Sequence, residues 1–175
     1  MKSKPSFFQR GVTLFEVLLV LFVAAFIAVA VAAIYNKVMT TVKTNNLISD
    51  VQQIASGIHS LYASTGDYTG VTNTIVINAG IAPPEMVSGT NAITPFSATT
   101  GAWTVSAASG TPSTSFYITV TNIPSSACVG LGSGGLGGGA LSVSGSVGGK
   151  AYVTPGDVAS GSCAGTSPTI TLQYN

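Results

Sequence analysis

Charge is what this chain has least of. Charged side chains make up 6% of its 175 residues, against roughly a quarter of an ordinary soluble domain. A net charge of +1 and no basic stripe argue against a nucleic-acid surface, which needs clustered Lys and Arg to neutralise phosphates. One His and five scattered carboxylates leave few ways to build a general acid–base site, so an enzyme is disfavoured. Cys128 and Cys163 are the only cysteines, with no His beside them, so neither metal nor cofactor is implied. Neither Gly nor Pro occurs from Val12 to Ser56, and nothing there breaks a helix.

The few charges are unevenly placed. Lys2, Lys4 and Arg10 hold half of the basic residues, and Glu16 is the only charged side chain from Val12 to Tyr35. Without the first eleven residues, three lysines would face five carboxylates, a net of −2 before the new amino terminus.

Residues 12–35 read VTLFEVLLVLFVAAFIAVAVAAIY, long enough as a helix at ~1.5 Å per residue to cross a ~30 Å hydrocarbon core. Basic residues before this run keep the short N-terminus in the cytoplasm and put the rest of the chain outside. A cleaved secretory signal is the competing reading, with Ala28-Val29-Ala30 as its small-residue site. Two features weigh against it. An ionised Glu16 in the run costs about 2–3 kcal/mol on insertion scales, and the helical pattern continues past Ala30. Leu47, Val51, Ile54, Ile58 and Leu61 then recur at helical spacing, with Asn46, Ser49, Asp50, Gln53 and Ser60 on other faces. The pattern predicts one helix from about Val12 to about Ser64.

A short basic leader, Gly11-Val12-Thr13-Leu14-Phe15-Glu16 and an unbroken apolar helix together resemble a type IV pilin. The resemblance implies cleavage by a prepilin peptidase between Gly11 and Val12, and N-methylation of Val12. It makes Glu16 the fifth mature residue, the family's characteristic acid. The 11-residue leader and a Val rather than Phe at the mature start are similar to the type IVb branch, whose pili include those of conjugative plasmids and enterobacteria. Many family helices carry a proline about twenty residues into the mature chain; here Val31-Ala32-Ala33-Ile34 stands in that region.

Glu16 also has a physical rationale of its own. A lone carboxylate in lipid must find a cation or become neutral. Cleavage after Gly11 creates a cation at Val12, four residues away. In a stack of parallel helices, a neighbour's Val12 ammonium can meet Glu16 and set the axial stagger between subunits. Removing one partner would leave a buried charge unpaired, at a cost of several kcal/mol.

From Gly66 the composition changes to short β-type runs separated by Gly, Pro, Ser and Thr. Thr74–Ile77, Trp103–Ser106, Phe116–Val120, Leu141–Val147 and Thr169–Tyr174 are the expected strands. Ile81 to Met86 reads as a turn with a short helix behind it. Cys128 and Cys163, outside the cytoplasm, most simply form one disulfide, and their positions match the C-terminal disulfide of pilins. Gly130-Leu131-Gly132-Ser133-Gly134-Gly135, with Asp157 further on, matches a dinucleotide fingerprint, but no strand–helix–strand context surrounds it. It is read as a flexible surface loop. His59 receives no role beyond a polar helix face. Tyr62, Tyr68, Trp103 and Tyr117 could bind sugars, but core packing is the commoner use.

These readings converge on an α+β fold in which a long N-terminal helix packs on an antiparallel sheet. The expected segments are a cleaved leader at 1–11, a membrane or filament-core half-helix at 12–35, an amphipathic half at 36–64 and a β-rich head at 65–175. The expected function is that of a subunit polymerising with itself into a type IVb pilus, for attachment, aggregation or conjugative contact. Its precursor would sit in the bacterial inner membrane, and the assembled pilus would be extracellular. The implied partners are other copies, the prepilin peptidase, the assembly machinery and a host or recipient-cell surface. Alternatives are a minor pilin, a type II secretion pseudopilin, or a membrane-anchored adhesive or sugar-binding domain that never polymerises.

Overall fold

Thr13 starts the first helix. Its carbonyl accepts from the N–H groups of Glu16 and Val17 at 3.0 and 3.2 Å, and its hydroxyl accepts from Glu16 N–H at 3.3 Å. A Thr at the N-cap with Glu three residues later satisfies donors that otherwise have no partner in the first turn. The helix, α1, then runs Leu14–Tyr62 over 49 residues. It ends where Gly66, at a φ of 60°, returns its N–H to the Tyr62 carbonyl at 2.9 Å.

The computed structural model describes residues 13–99, 101–145, 151–152, 156, 158, 163, 165 and 167–175. Gly11, Val12, the leader at 1–11 and Asp157 lie outside them. The chain divides into two compact units, Met1–Met39 and Thr40–Asn175. In the first, the described residues are Thr13 and the α1 residues as far as Met39.

The second unit is the head. It holds the rest of α1, then α2 (Asn73–Asn78), a 3-10 turn at Pro84–Met86, and two short strands, β1 (Val87–Ser88) and β2 (Asn91–Ala92). After these come β3 (Trp103–Ala107), β4 (Phe116–Val120), α3 (Ser125–Gly137), β5 (Ser142–Gly145), β6 (Ala151–Tyr152) and β7 (Ile170–Tyr174). The main sheet is antiparallel, in the order β3-β4-β7-β5-β6. The C-terminal strand β7 is therefore the middle strand.

The core forms where the α1 stripe meets the sheet. Leu47, Val51, Ile54 and Ile58 are buried in one cluster with Trp103, Phe116, Ile118, Ile170, Leu172 and Tyr174. Strands β4 and β7 alternate between buried and half-buried residues, as a sheet with one covered face requires. Asn73 closes the outer edge of β3: its amide nitrogen donates to the Trp103 carbonyl at 2.8 Å, and its amide oxygen accepts from Val105 N–H at 2.6 Å. A side chain thereby occupies groups that an edge strand otherwise leaves open.

Three expectations are corrected. Thr74–Ile77 lies within α2, because Thr72 caps it, accepting from Ile75 N–H at 3.4 Å, and only Val76 of the helix is buried. Leu61 is 45% exposed and leaves the stripe one turn early. The glycine-rich segment expected as a loop is the helix α3. Five glycines in 13 residues cost about 1 kcal/mol each relative to Ala, so packing must supply what propensity lacks. A Cβ on Gly130 or Gly134 would come within 2.8 Å of Thr44 or 2.7 Å of Ile48, and one on Gly138 would collide with Gln52. Glycines at four-residue spacing thus receive a four-residue ridge of α1. Of the strand expected at Leu141–Val147, Ser142–Gly145 is formed, and 146–147 lie outside the described residues.

Candidate functional site

The first half of α1 carries the candidate assembly site. From Val17 to Val23 every residue is between 47% and 69% exposed. Seven consecutive positions cover about two turns, so no face of this segment is shielded. None of the most apolar 18-residue window of α1 is buried, and the helix is long and apolar enough to cross a membrane. Such a surface requires lipid or other apolar helices around it.

Glu16 sits in the first turn of this helix, where the unsatisfied N–H groups favour negative charge. The Thr13 hydroxyl fixes that turn at Glu16 itself. Sequence reasoning missed Thr13, although its signal, Thr followed three residues later by Glu, stands in the sequence. The proposed cleavage and methylation positions, Gly11 and Val12, lie outside the described residues.

In the head, Cys128 of α3 and Cys163 are joined by a disulfide, with Cα atoms 5.6 Å apart. Both are buried. Closing 35 residues stabilises by roughly 3–4 kcal/mol in the chain-entropy model. The bond ties α3 to Cys163 while Ser125 Oγ donates to the Gly165 carbonyl at 2.7 Å.

The aromatic side chains divide clearly. Trp103 and Tyr68 are buried, so they serve the core, whereas Tyr117 lies on the half-buried alternate face of β4. His59 is not a bare polar face: its Nδ1 hydrogen-bonds the Tyr68 hydroxyl at 2.8 Å, and its ring meets those of Phe116 and Tyr174 edge-on. The Tyr174 hydroxyl is buried without a hydrogen-bond partner, and burial pushes it up to about 12.

Two carboxylates depart from ordinary behaviour. Asp67 accepts from the Thr69 hydroxyl at 2.5 Å, from Thr69 N–H at 2.9 Å and from Ser113 N–H at 2.8 Å, and these bonds hold it below the usual range. Asp50 was expected on a polar face and is instead buried at 5% exposure. Three residues after Leu47 and four before Ile54, it shares their side of the helix, a signal present in the spacing. Burial first, then the charge and hydrogen bonding of Glu85, push Asp50 up to about 6. Among the described residues no group of three or more His, Cys, Asp or Glu could hold a metal.

A family model described as Bundlin matches residues 38–171. The chain belongs to the Bundlin family. The match begins at residue 38, so Glu16 and the apolar run before it are evidence of a separate kind. This bundlin-family chain is 30% identical over 132 residues to the major structural subunit of bundle-forming pilus from Escherichia coli O127:H6 (strain E2348/69 / EPEC). That match covers 74% of this chain and 67% of the relative. The protein of the same description from Escherichia coli O111:H- matches to the same extent. The crystal structure of type IV b pilin from Salmonella typhi shares the fold, with a TM-score of 0.56 and 22% identity over 73% of this chain and 97% of that one. Family membership and shared fold bear out the type IVb pilin and α+β expectations. The curated relatives are structural subunits, which fits a non-enzymatic role.

Proposed function

We propose that this chain is a structural subunit that polymerises through its N-terminal helix into a type IVb pilus. The observation that carries the reading is the unshielded apolar helix from Leu14 onward, attached to a bundlin-family head. Before assembly, residues 12–35 anchor the precursor in the bacterial inner membrane, with the head outside. A prepilin peptidase removes residues 1–11 after Gly11, and Val12 becomes the methylated N-terminus. Assembly machinery then transfers the helix from lipid to a bundle of like helices.

In that bundle Glu16 meets the Val12 ammonium of a neighbouring copy. Pairing neutralises two charges that the low-dielectric surroundings would otherwise penalise, and it fixes the axial stagger. The heads form the extracellular surface, where contact with a host or recipient cell takes place. The disulfide between Cys128 and Cys163 holds that surface together without cytoplasmic reductants to oppose it.

N-terminal mass spectrometry of protein sheared from the cell surface tests this, in wild type and Glu16→Ala. The expected result is a chain starting at methylated Val12 in the wild-type filaments and its loss from the sheared fraction of the variant. An intact leader, or a start near Val31 after Ala30, would overturn the reading in favour of an anchored or secreted binding domain.

A further inference from the structure

The apolar run of α1 has a marked end. Val29, Val31, Ile34 and Tyr35, each between 58% and 72% exposed, close the run that begins at Leu14. At about 1.5 Å per residue, Leu14 to Tyr35 measures about 32 Å, which matches a hydrocarbon core of roughly 30 Å. Glu16 stands near one end of that length and Tyr35 at the other. Two residues further on comes Lys37, exposed and still helical.

An aromatic with a polar tip followed by a lysine suits the boundary between hydrocarbon and headgroups. A tyrosine ring there packs beside acyl chains while its hydroxyl stays among polar groups. A lysine lays its apolar stem along the lipid and keeps its charged head out of it. Helical side chains tilt toward the N-terminus, and the N-terminus of α1 is its apolar end. The Lys37 stem therefore leans back over the end of the run, which keeps its ammonium level with lipid phosphates. The surrounding helix charge has one sign. Ala33, Ile34, Thr40 and Thr41, three and four residues away, are uncharged. Between Glu16 and Asp50, α1 carries no carboxylate, and Asp50 is buried in the head. Lys43 also belongs to the head, where its ammonium lies 5.8 Å from the centre of the Phe96 ring. Lys37 is thus the one cation that the first unit presents among its described residues.

We propose that Lys37, with Tyr35 close to it in the chain, docks the helix on anionic phospholipid headgroups in the outer leaflet of the inner membrane. This rests on the reading in which the precursor spans that membrane. The occupant follows from charge: a cation at phosphate depth, on a helix without acidic neighbours, complements a headgroup of net negative charge better than a zwitterionic one. The contact also changes what removal of residues 1–11 does. Lys2, Lys4 and Arg10 leave with that segment, and the new ammonium at Val12 is matched in formal charge by Glu16. The hold of the mature helix on anionic lipid then passes from the cytoplasmic side to Lys37 on the outer side.

The test is lipid selectivity around residue 35, in the full chain reconstituted into phosphatidylcholine vesicles that also contain phosphatidylglycerol. Tyr35→Trp supplies the fluorescent probe, and the unsubstituted chain gives the contribution of Trp103, the only native tryptophan, for subtraction. Bromine atoms on the acyl chains of one lipid or the other quench the probe from its own leaflet. The expected result is quenching by both lipids, with phosphatidylglycerol favoured about fivefold, the factor for one lysine at an anionic surface. Adding Lys37→Gln should bring the ratio to unity, Lys37→Arg should keep it, and Lys43→Gln should leave it unchanged. Equal quenching by the two lipids would overturn the proposal and leave Lys37 to a carboxylate of a second copy. A preference that survives Lys37→Gln, or one that disappears in Lys43→Gln, would overturn it as well. Quenching by neither lipid would remove the membrane reading itself, and this proposal with it.

Discussion

The side-chain amide of Gln52 on α1 donates to the backbone carbonyl of Gly134 on α3 at 3.1 Å. Backbone and side chain can come that close only because α3 lacks Cβ atoms on the facing side. The contact explains why a sequence so poor in helix formers is helical there.

Gly134→Ala gains helix propensity of about 1 kcal/mol but pushes a methyl group to 2.7 Å from Ile48 Cγ2. Overpacking of this kind costs about 1–3 kcal/mol, so the net expectation is a lower denaturation midpoint. Ile48→Ala combined with Gly134→Ala should lose less than the two single changes added together. Thermal or urea unfolding of the four chains in micelles measures the coupling.

Asn73→Ala removes both amide contacts to β3, leaving the Trp103 carbonyl and Val105 N–H without their side-chain partner. The expected loss is about 1–3 kcal/mol. Hydrogen exchange should show it locally: the Val105 amide should exchange faster, while central-strand amides of β7 should follow only the global change in stability.

Cys128→Ser with Cys163→Ser opens the 35-residue loop, and roughly 3–4 kcal/mol of stability should go with it. The loss should concentrate on α3, whose five glycines give it little helix propensity of its own. Protection of α3 amides before and after the substitutions is the measurement. Equal protection would mean that the packing on Thr44, Ile48 and Gln52 suffices.

Asp67 should shape the acid limb of the stability curve. Its carboxylate is held below the usual range by the Thr69 hydroxyl and N–H and by Ser113 N–H. A lowered folded value means that the contribution is complete above pH 4 and disappears as pH falls through that value. Asp67→Ala should be less stable than wild type near neutrality and should converge on it toward pH 2. Unfolding midpoints at pH 2, 3, 4 and 7 would show the convergence.

Local pattern carried far in this chain. An absence of Gly and Pro through residues 12–56, with Glu16 the only charged side chain as far as Tyr35, determined a long helix and an apolar first half, because length and hydropathy act without reference to partners. Alternation of apolar and polar residues determined the strands at Trp103, Phe116 and Ile170, because a one-sided sheet needs it. The cysteine pair was legible because a thiol is reactive wherever the chain puts it.

Tertiary structure decided what local pattern contradicts or leaves open. The β-branched run at Thr74–Ile77 became α2 because Thr72 caps it and Asn73 is needed at the β3 edge. The glycine-rich segment became a helix because a ridge of α1 fits where side chains are missing. The last strand was inserted between β4 and β5, a choice made by non-local pairing alone. Asp50, on a face that α1 shares with its core stripe, was buried when that stripe was covered. Such outcomes depend on surfaces that meet only after the chain has folded.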